Sequence, residues 1–347
     1  MGQFGGTPAE IRDTILALGI PLIGESKAFL DLLRSIRRIA MHSDTAVLIH
    51  GETGTGKELV ARSIHYLGAR QRFPFVPVNC GALPDSLVEN ELFGHRVGAF
   101  TGATQESGGL LRLAHNGTLF LDEVDSLPAK AQVALLRFLQ DGRFRPLGGA
   151  GEQHANVRIL AASNRCLEHE IAAGRFREDL YYRLNVIRVV VPPLRTRAGD
   201  VRLLSQYFLR ACAERYRLPG KRLQDDTLCW LERYRWPGNV RELENLIHRE
   251  FLLSDEHELR IEAPSRALTT DVQISLPESG PELTYHAAKS LALEQFDRTY
   301  LTKLLRRAHG NVTRAAELAG KERRALGKLL KRYRIGRTAG DDLGPPR

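Results

Sequence analysis

Apolar residues recur at helical spacing through Ala28, Phe29, Leu30, Leu33, Ile36 and Ile39, which predicts an amphipathic helix. The pattern then changes. Ala46-Val47-Leu48-Ile49-His50 is a short continuous apolar run and reads as a buried strand. Phe75-Val76-Pro77-Val78, Thr118-Leu119-Phe120-Leu121 and the run from Val157 to Ala162 have the same character. Helical stretches separate them, including Glu58 to His65 and Ala129 to Gln140. Strands alternating with helices predict an α/β fold with a parallel sheet covered on both faces, over residues 21–191. After Val191-Pro192-Pro193 the strands stop, and Asp200 to Leu253 reads as helices only. A second, all-α unit is therefore expected over 192–263. Residues 264–284 mix Pro, Ser, Thr and acids without a period and read as a linker.

Helices resume near Tyr285. Ala287 to Leu305 is amphipathic, with Leu291, Phe296, Leu301 and Leu304 among its apolar positions. His309-Gly310-Asn311 breaks it, and a short helix follows from Val312 to Ala319. Gly320 supplies a turn, and Glu322 to Arg332 forms a second helix with Leu326, Leu329 and Leu330 inward. Helix, short Gly-containing turn and basic helix is the helix-turn-helix pattern, expected over 285–337. Residues 1–20 and 338–347 read as tails.

Charge sharpens this picture. The formal net charge is +9, but Asn311 to Arg337 holds nine basic residues against Glu317 and Glu322. A basic block on a helix-turn-helix is the electrostatic footprint of double-stranded DNA binding. Lys321, Arg323, Arg324 and Lys328 are the candidates for the major groove, Lys331 and Arg332 for phosphates, and Thr313 is a further candidate for DNA binding. No stretch approaches the roughly 18 apolar residues of a membrane span, so no membrane partner is expected. The N-terminus has no basic-then-apolar leader. Cys80, Cys166, Cys212 and Cys229 are scattered with no C-x-x-C pair, so neither a disulfide frame nor a zinc site is expected. A reducing cytoplasm is the expected compartment.

Three sequence elements carry chemistry. Gly51-Glu52-Thr53-Gly54-Thr55-Gly56-Lys57 follows a strand and opens a helix, the context of a phosphate-binding loop. Its backbone N–H groups can cradle phosphates, and Lys57 can neutralise the β/γ oxygens. The next position, commonly a Ser or Thr, is Glu58. Leu119-Phe120-Leu121-Asp122-Glu123 places two carboxylates at the end of a buried strand. Asp122 is the candidate Mg²⁺ ligand, directly or through a water, and Glu123 the group that orients or deprotonates water. Ser163-Asn164 ends another apolar run, where an amide can sense the γ-phosphate or position that water. Arg177 and Arg183, six apart, are expected on one helix. They read either as arginine fingers reaching a neighbouring subunit's γ-phosphate or as surface partners of Glu178 and Asp179. Gly98-Ala99-Phe100-Thr101-Gly102-Ala103 presents an aromatic among small residues, either as a surface for another molecule or as an ordinary hairpin tip.

These residues together resemble the bacterial enhancer-binding AAA+ activators of sigma-54 RNA polymerase. The resemblance rests on the loop ending in Lys57-Glu58, on Glu91-Leu92-Phe93-Gly94-His95, and on the run at 98–103. It continues through Gly117 to Glu123, Pro193-Leu194-Arg195 and Trp236-Pro237-Gly238-Asn239-Val240-Arg241-Glu242-Leu243. It covers roughly residues 21–260. It implies an ATPase with Mg²⁺ that forms a ring, with a hexamer expected, and remodels the sigma-54 closed complex. Residues 51–58 and Ile23 would hold nucleotide, and Asp122 and Glu123 would be the Walker B pair. Asn79 would restrain the catalytic glutamate, Asn164 would be sensor I, and Arg177 and Arg183 would be trans-acting fingers. Arg241 would be the sensor II arginine of a helical lid, and Phe100 and Thr101 the loop tip that grips the sigma factor. The C-terminal unit is similar to the Fis-type domain of these activators. Two departures stand out. Arg96 and Val97 replace the acid common after Gly-His, which alters charge pairing at the loop base. Only about 20 residues precede the core where a regulatory domain is common, so control by a separate regulatory protein or by expression level is expected. Two rival readings use the same residues: another AAA+ remodelling machine, such as an unfoldase or helicase subunit, and a repressor that uses nucleotide only to set its assembly.

Overall fold

A computed structural model of the chain describes residues 7–100, 103–261, 301, 304, 308, 311–319 and 323–332. The chain divides into two units, residues 1–263 and 264–347. The first begins with α1 (Pro8–Ala17), α2 (Lys27–Ala40), β1 (Val47–His50) and α3 (Lys57–Tyr66). Next come β2 (Phe75–Asn79), α4 (Asp85–Phe93), α5 (Gly109–Leu113) and β3 (Thr118–Asp122). α6 (Ala129–Asp141) leads into a hairpin of β4 (Arg143–Phe144) and β5 (Gln153–His154), then β6 (Arg158–Ser163). α7 (Leu167–Ala172), α8 (Glu178–Leu184) and β7 (Ile187–Val190) complete the α/β part.

The five-stranded sheet has the order β2-β3-β6-β1-β7 and is parallel throughout. Parallel strands are joined by crossovers that put helices on both faces, so the strands are apolar nearly throughout. Within β1, Val47 and Ile49 pack with α1, α2 and α3, while Leu48 packs toward α4, α6 and α8. Register places Asn79 opposite Asp122 and His50 opposite Ser163, so these strand ends share one edge.

The helical part holds α9 (Asp200–Tyr216), β8 (Arg222–Leu223), α10 (Asp225–Arg233), α11 (Asn239–Leu253) and β9 (Glu258–Leu259). Its core gathers Leu204, Phe208, Leu231, Trp236, Leu243, Ile247 and Phe251. In the second unit the described elements are α12 (Val312–Leu318) and α13 (Arg323–Arg332). Asn311 caps α12 by accepting from the Thr313 and Arg314 amides. Leu301, Leu304, Ala308, Ala315, Ala316, Leu326 and Leu330 pack together. Thr313, Arg323, Lys328 and Lys331 are exposed. Lys321 lies outside the described residues, and for Arg324 and Arg332 only the helical backbone is described.

Four expectations are corrected. The stretch read as an N-terminal tail contains α1, closed by a Thr7–Glu10 capping box, with Ile11 and Ile15 buried against the sheet core. β7 escaped the sequence reading because it is an edge strand in which only Val189 is buried, so no continuous apolar run marks it. The helical part is not all-α: β8 and β9 form a parallel pair, too short to leave any period. Arg177 is not inside a helix but caps α8 from outside, in extended conformation.

Ile15 is fully buried and Leu16, its neighbour, is 39% exposed. Ile15→Ala is expected to cost about 2–5 kcal/mol and Leu16→Ala under about 0.5 kcal/mol. Thermal melting of the two variants beside the wild type checks this; equal melting would mean that α1 is not docked.

Candidate active site

β1 runs into the loop Gly51–Gly56, which opens α3. Gly54 (φ +77°) and Gly56 (φ +93°) hold left-handed conformations that favour glycine. The Lys57 ammonium turns back into the loop and donates to the carbonyls of Gly51 (2.9 Å) and Glu52 (3.2 Å). Burial draws its pKa below the ordinary lysine value, against the pull of Asp122 and Glu123. Thr55 closes the loop by donating to the Glu52 carbonyl. Glu58 accepts from Arg62 on the exposed side of α3.

Asp122 ends β3, and burial raises its pKa despite the nearby Lys57. Glu123 follows with φ +54°, a strained position for a residue with a Cβ and typical of functional sites. Its carboxylate lies over Gly81, where a Cβ would stand 2.3 Å from Oε2. Asn79 sits beside it, and its side-chain oxygen accepts from the Gly81 (2.8 Å) and Ala82 (3.1 Å) amides. Asn79 and Glu123 are thus neighbours across Gly81, with the Asn79 oxygen engaged by its own backbone. Asn164 donates to the Thr53 hydroxyl (2.9 Å) and so reaches the phosphate loop. Lys57, Asp122, Glu123, Asn79 and Asn164 converge on one sheet edge.

The helical part closes on the loop. The Asn239 side chain donates to Glu52 (3.1 Å) and the Thr53 carbonyl (3.0 Å) and accepts from the Leu194 amide (2.8 Å). The Gly54 carbonyl accepts from the Val240 and Arg241 amides. Arg195 grips Glu52 bidentately, at 2.6 and 2.7 Å, and these contacts hold the Glu52 pKa down at about 2. Arg241 itself is exposed at the start of α11. Ile23 packs its side chain on the lid core, and its carbonyl accepts from Arg197. Arg197 pairs with buried Asp200, whose carboxylate also accepts from the Glu25 and Ser26 amides and the Ser26 hydroxyl.

Other candidates stand apart. Arg177 pairs bidentately with Asp179 of its own chain, and Arg183 is exposed in the last turn of α8. The Gly98 amide donates to the Ala103 carbonyl (2.9 Å), which brings the two ends of this run together. Phe100 is 42% exposed, with its ring 5.0 Å from that of His95. Ala99 is packed against Gly148 of the β4–β5 connection, and Ala103 is buried. Thr101 and Gly102 lie outside the described residues. The loop base is charge-paired after all, by Arg96 with Glu106 at 2.5 Å. Leu147, from the β4–β5 connection, bonds through its backbone to Gly94 and Arg96.

Sequence reasoning missed Asn239 and Arg195 as loop partners. It also missed Asp125, which accepts from Ser163 (2.7 Å) beneath the acidic pair. Asn239 left a faint signal: in Pro-Gly-Asn an asparagine readily takes the left-handed conformation it holds here, φ +52°. The others needed the tertiary contact.

A phosphate loop, an acid pair and a helical lid on a five-stranded parallel sheet define an AAA+ P-loop protein. Three family profiles match the chain: Sigma-54 interaction domain at residues 22–190, AAA+ ATPase lid domain at 195–276, and Bacterial regulatory protein, Fis family, at 292–333. The transcriptional regulatory protein GlrR of Escherichia coli K12 is 43% identical over 314 residues, spanning 90% of this chain and 68% of that protein. The DNA-binding transcriptional regulator NtrC of Azospirillum brasilense is 40% identical over 334 residues, 90% of this chain and 69% of that one. A crystal structure of NtrX from Brucella abortus in complex with ADP superposes with a TM-score of 0.68 at 34% identity, covering 94% of this chain and 72% of that one. The chain belongs to the sigma-54-dependent, NtrC-like family of AAA+ transcriptional activators that carry a Fis-type helix-turn-helix. Among the described residues, no helix is long and apolar enough to cross a membrane.

The low pKa of Glu52 has a sign. A carboxyl whose folded pKa lies below its unfolded value stabilises the fold above about pH 4.5, and that stability is lost as pH falls toward 2. Glu52→Gln is expected to melt only slightly below the wild type at neutral pH, because solvent screens the half-exposed pair, with the gap closing as pH falls through that window. A gap independent of pH would refute the pairing.

Proposed function

We propose that the chain hydrolyses ATP at residues 51–58 and 122–123, and uses the energy to remodel sigma-54 RNA polymerase through the 98–103 loop. The observation that carries this is the path of α4. It starts just after the Asn79–Ala82 turn that abuts Glu123 and ends at Gly94, where the Phe100 loop begins. Its nine residues span about 13 Å, so a rigid rod links the acid pair to an exposed aromatic. A shift of Glu123 against Gly81 would move the foot of α4 and, with it, the loop.

Each side chain then has a task. Lys57 leaves its two loop carbonyls to meet β/γ-phosphate oxygens, and the loop amides cradle the rest. Glu123 orients and deprotonates water, Asn79 restrains it, and Asn164 positions the same water. Asp122 fits Mg²⁺: its half-buried carboxyl stands at the strand end beside the phosphate loop, with Lys57 as the positive charge near it. Bound there, Mg²⁺ would neutralise phosphate charge. Arg177 and Arg183, exposed on the α8 side, reach a neighbouring subunit's site in a ring, read as a hexamer. Arg177 first exchanges Asp179 for phosphate. Arg241 and Ile23 border the nucleotide from the lid side. Exposed Arg323, Lys328 and Lys331, with Thr313, Lys321, Arg324 and Arg332, hold upstream DNA. The protein would act in the cytoplasm.

Glu123→Gln is expected to lower ATP turnover by about 10²- to 10⁴-fold while nucleotide affinity stays within about threefold, as loss of a general base does. Unchanged turnover would remove Glu123 from the chemistry. The decisive experiment is in vitro transcription from a sigma-54 promoter with ATP or a nonhydrolysable analogue. Open complexes should form with ATP alone, Lys57→Ala should lose them together with hydrolysis, and Thr101→Ala should lose them while keeping hydrolysis. Promoter opening by Thr101→Ala would favour another remodelling machine, and control that survives Lys57→Ala would favour the nucleotide-set repressor.

A further inference from the structure

The phosphate loop is held from outside by three lid-side groups that no catalytic role requires. Arg195, in the connection between the sheet and the lid, grips Glu52 with two hydrogen bonds. Asn239, fully buried at the first position of α11, bonds the same carboxylate, the Thr53 carbonyl and the Leu194 amide. At Gly54 the fit leaves no room: a Cβ would stand 2.3 Å from the Gly238 carbonyl, while the Gly54 carbonyl takes the Val240 and Arg241 amides. The residue at each end of this bridge is set by its neighbours. The Asn239 backbone is left-handed, and the Glu52 carboxylate reaches both the lid connection, at Arg195, and the lid, at Asn239.

We propose that Arg195 and Asn239 are positioning residues which, through Glu52, latch the lid onto the phosphate loop and preorganise it for nucleotide. This deepens the reading of residues 51–58 as an ATP site and rests on it. With the latch closed, the start of α11, and so Arg241, is fixed against the loop. Binding then costs less ordering of loop and lid. The Glu52 and Arg195 side chains are 42% and 43% exposed, so solvent screens the pair and it adds little to stability. A weak, geometrically exact pair suits a joint that must open in each cycle. The buried Asn239 supplies the directional part, and the ion pair supplies the part that can release.

The test uses the full chain as Glu52→Gln, Arg195→Gln and the double variant. Two readouts are taken: affinity for a fluorescent methylanthraniloyl ATP, and amide hydrogen exchange at Val240 and Arg241 without nucleotide. Each single variant is expected to weaken affinity about five- to twentyfold and to speed exchange at both amides by a similar factor. The double should be no worse than the weaker single, because both changes remove one interaction. Unchanged exchange, or losses that multiply in the double, would overturn the latch. If a glutamine variant fails to fold, Arg195→Lys decides: it keeps the charge, loses the fork, and should fall between wild type and Arg195→Gln. Wild-type protein that does not bind the ATP analogue would sink the ATP reading, and the exchange measurement would still judge the latch.

Discussion

A parallel sheet buried on both faces can offer its chemistry only at its ends. In this chain that constraint orders everything else. The register β2–β3–β6–β1 brings Asn79, Asp122, Ser163 and His50 to one edge, and the loops leaving that edge carry Lys57, Glu123 and Asn164. The apolar strand interiors hold this alignment, and a one-residue slip of β3 would turn Leu119 and Leu121 to the opposite face. The acids can therefore be half-buried and strained without loss of the fold. Burial makes Asp122 reluctant to ionise and Lys57 reluctant to hold its proton, and each relieves the other.

Among the contacts that join the lid to the sheet part, two ion pairs are unlike. Arg197 and Asp200 form a buried pair, satisfied on every side by the Ile23 carbonyl and the Glu25 and Ser26 groups, with Phe29 beneath the guanidinium. Breaking such a pair is costly, because it leaves a charge without water. The Glu52–Arg195 pair is half-exposed and cheap to break. The two contacts thus differ in what it costs to part them: the buried pair resists separation, and the half-exposed pair does so only weakly. On the other side of the site, α4 leads from the Asn79 turn to the Phe100 loop. That loop is braced by Arg96–Glu106 and by the β4–β5 connection through Leu147 and Gly148. Arg96 departs from the family pattern, yet the loop base keeps an ion pair because the acid stands at Glu106.

Much of this was legible in the chain. The apolar runs at 46–50, 118–121 and 157–162 marked buried strands, and the glycine spacing of 51–57 marked a phosphate loop between a strand and a helix. Those signals are local: a strand buried on both faces must be apolar throughout, and left-handed turns select glycine. β7 was not legible, because an edge strand needs only Val189 inside. The lid strands β8 and β9 were not legible, because two residues carry no period. The α1 helix was passed over because Ile11 and Ile15 alone do not distinguish a docked helix from a tail.

By itself the sequence determined where the continuously apolar strands of the sheet lie, where the phosphate loop lies, and that Asp122-Glu123 ends a buried strand. Tertiary structure alone decided that Glu52 faces Arg195 and Asn239, that Glu123 rests on Gly81, and that Arg96 finds Glu106. The reason is physical. Periodicity and turn chemistry are written in neighbouring residues, whereas a hydrogen bond between Glu52 and Asn239 joins positions 187 residues apart and exists only once sheet and lid have packed.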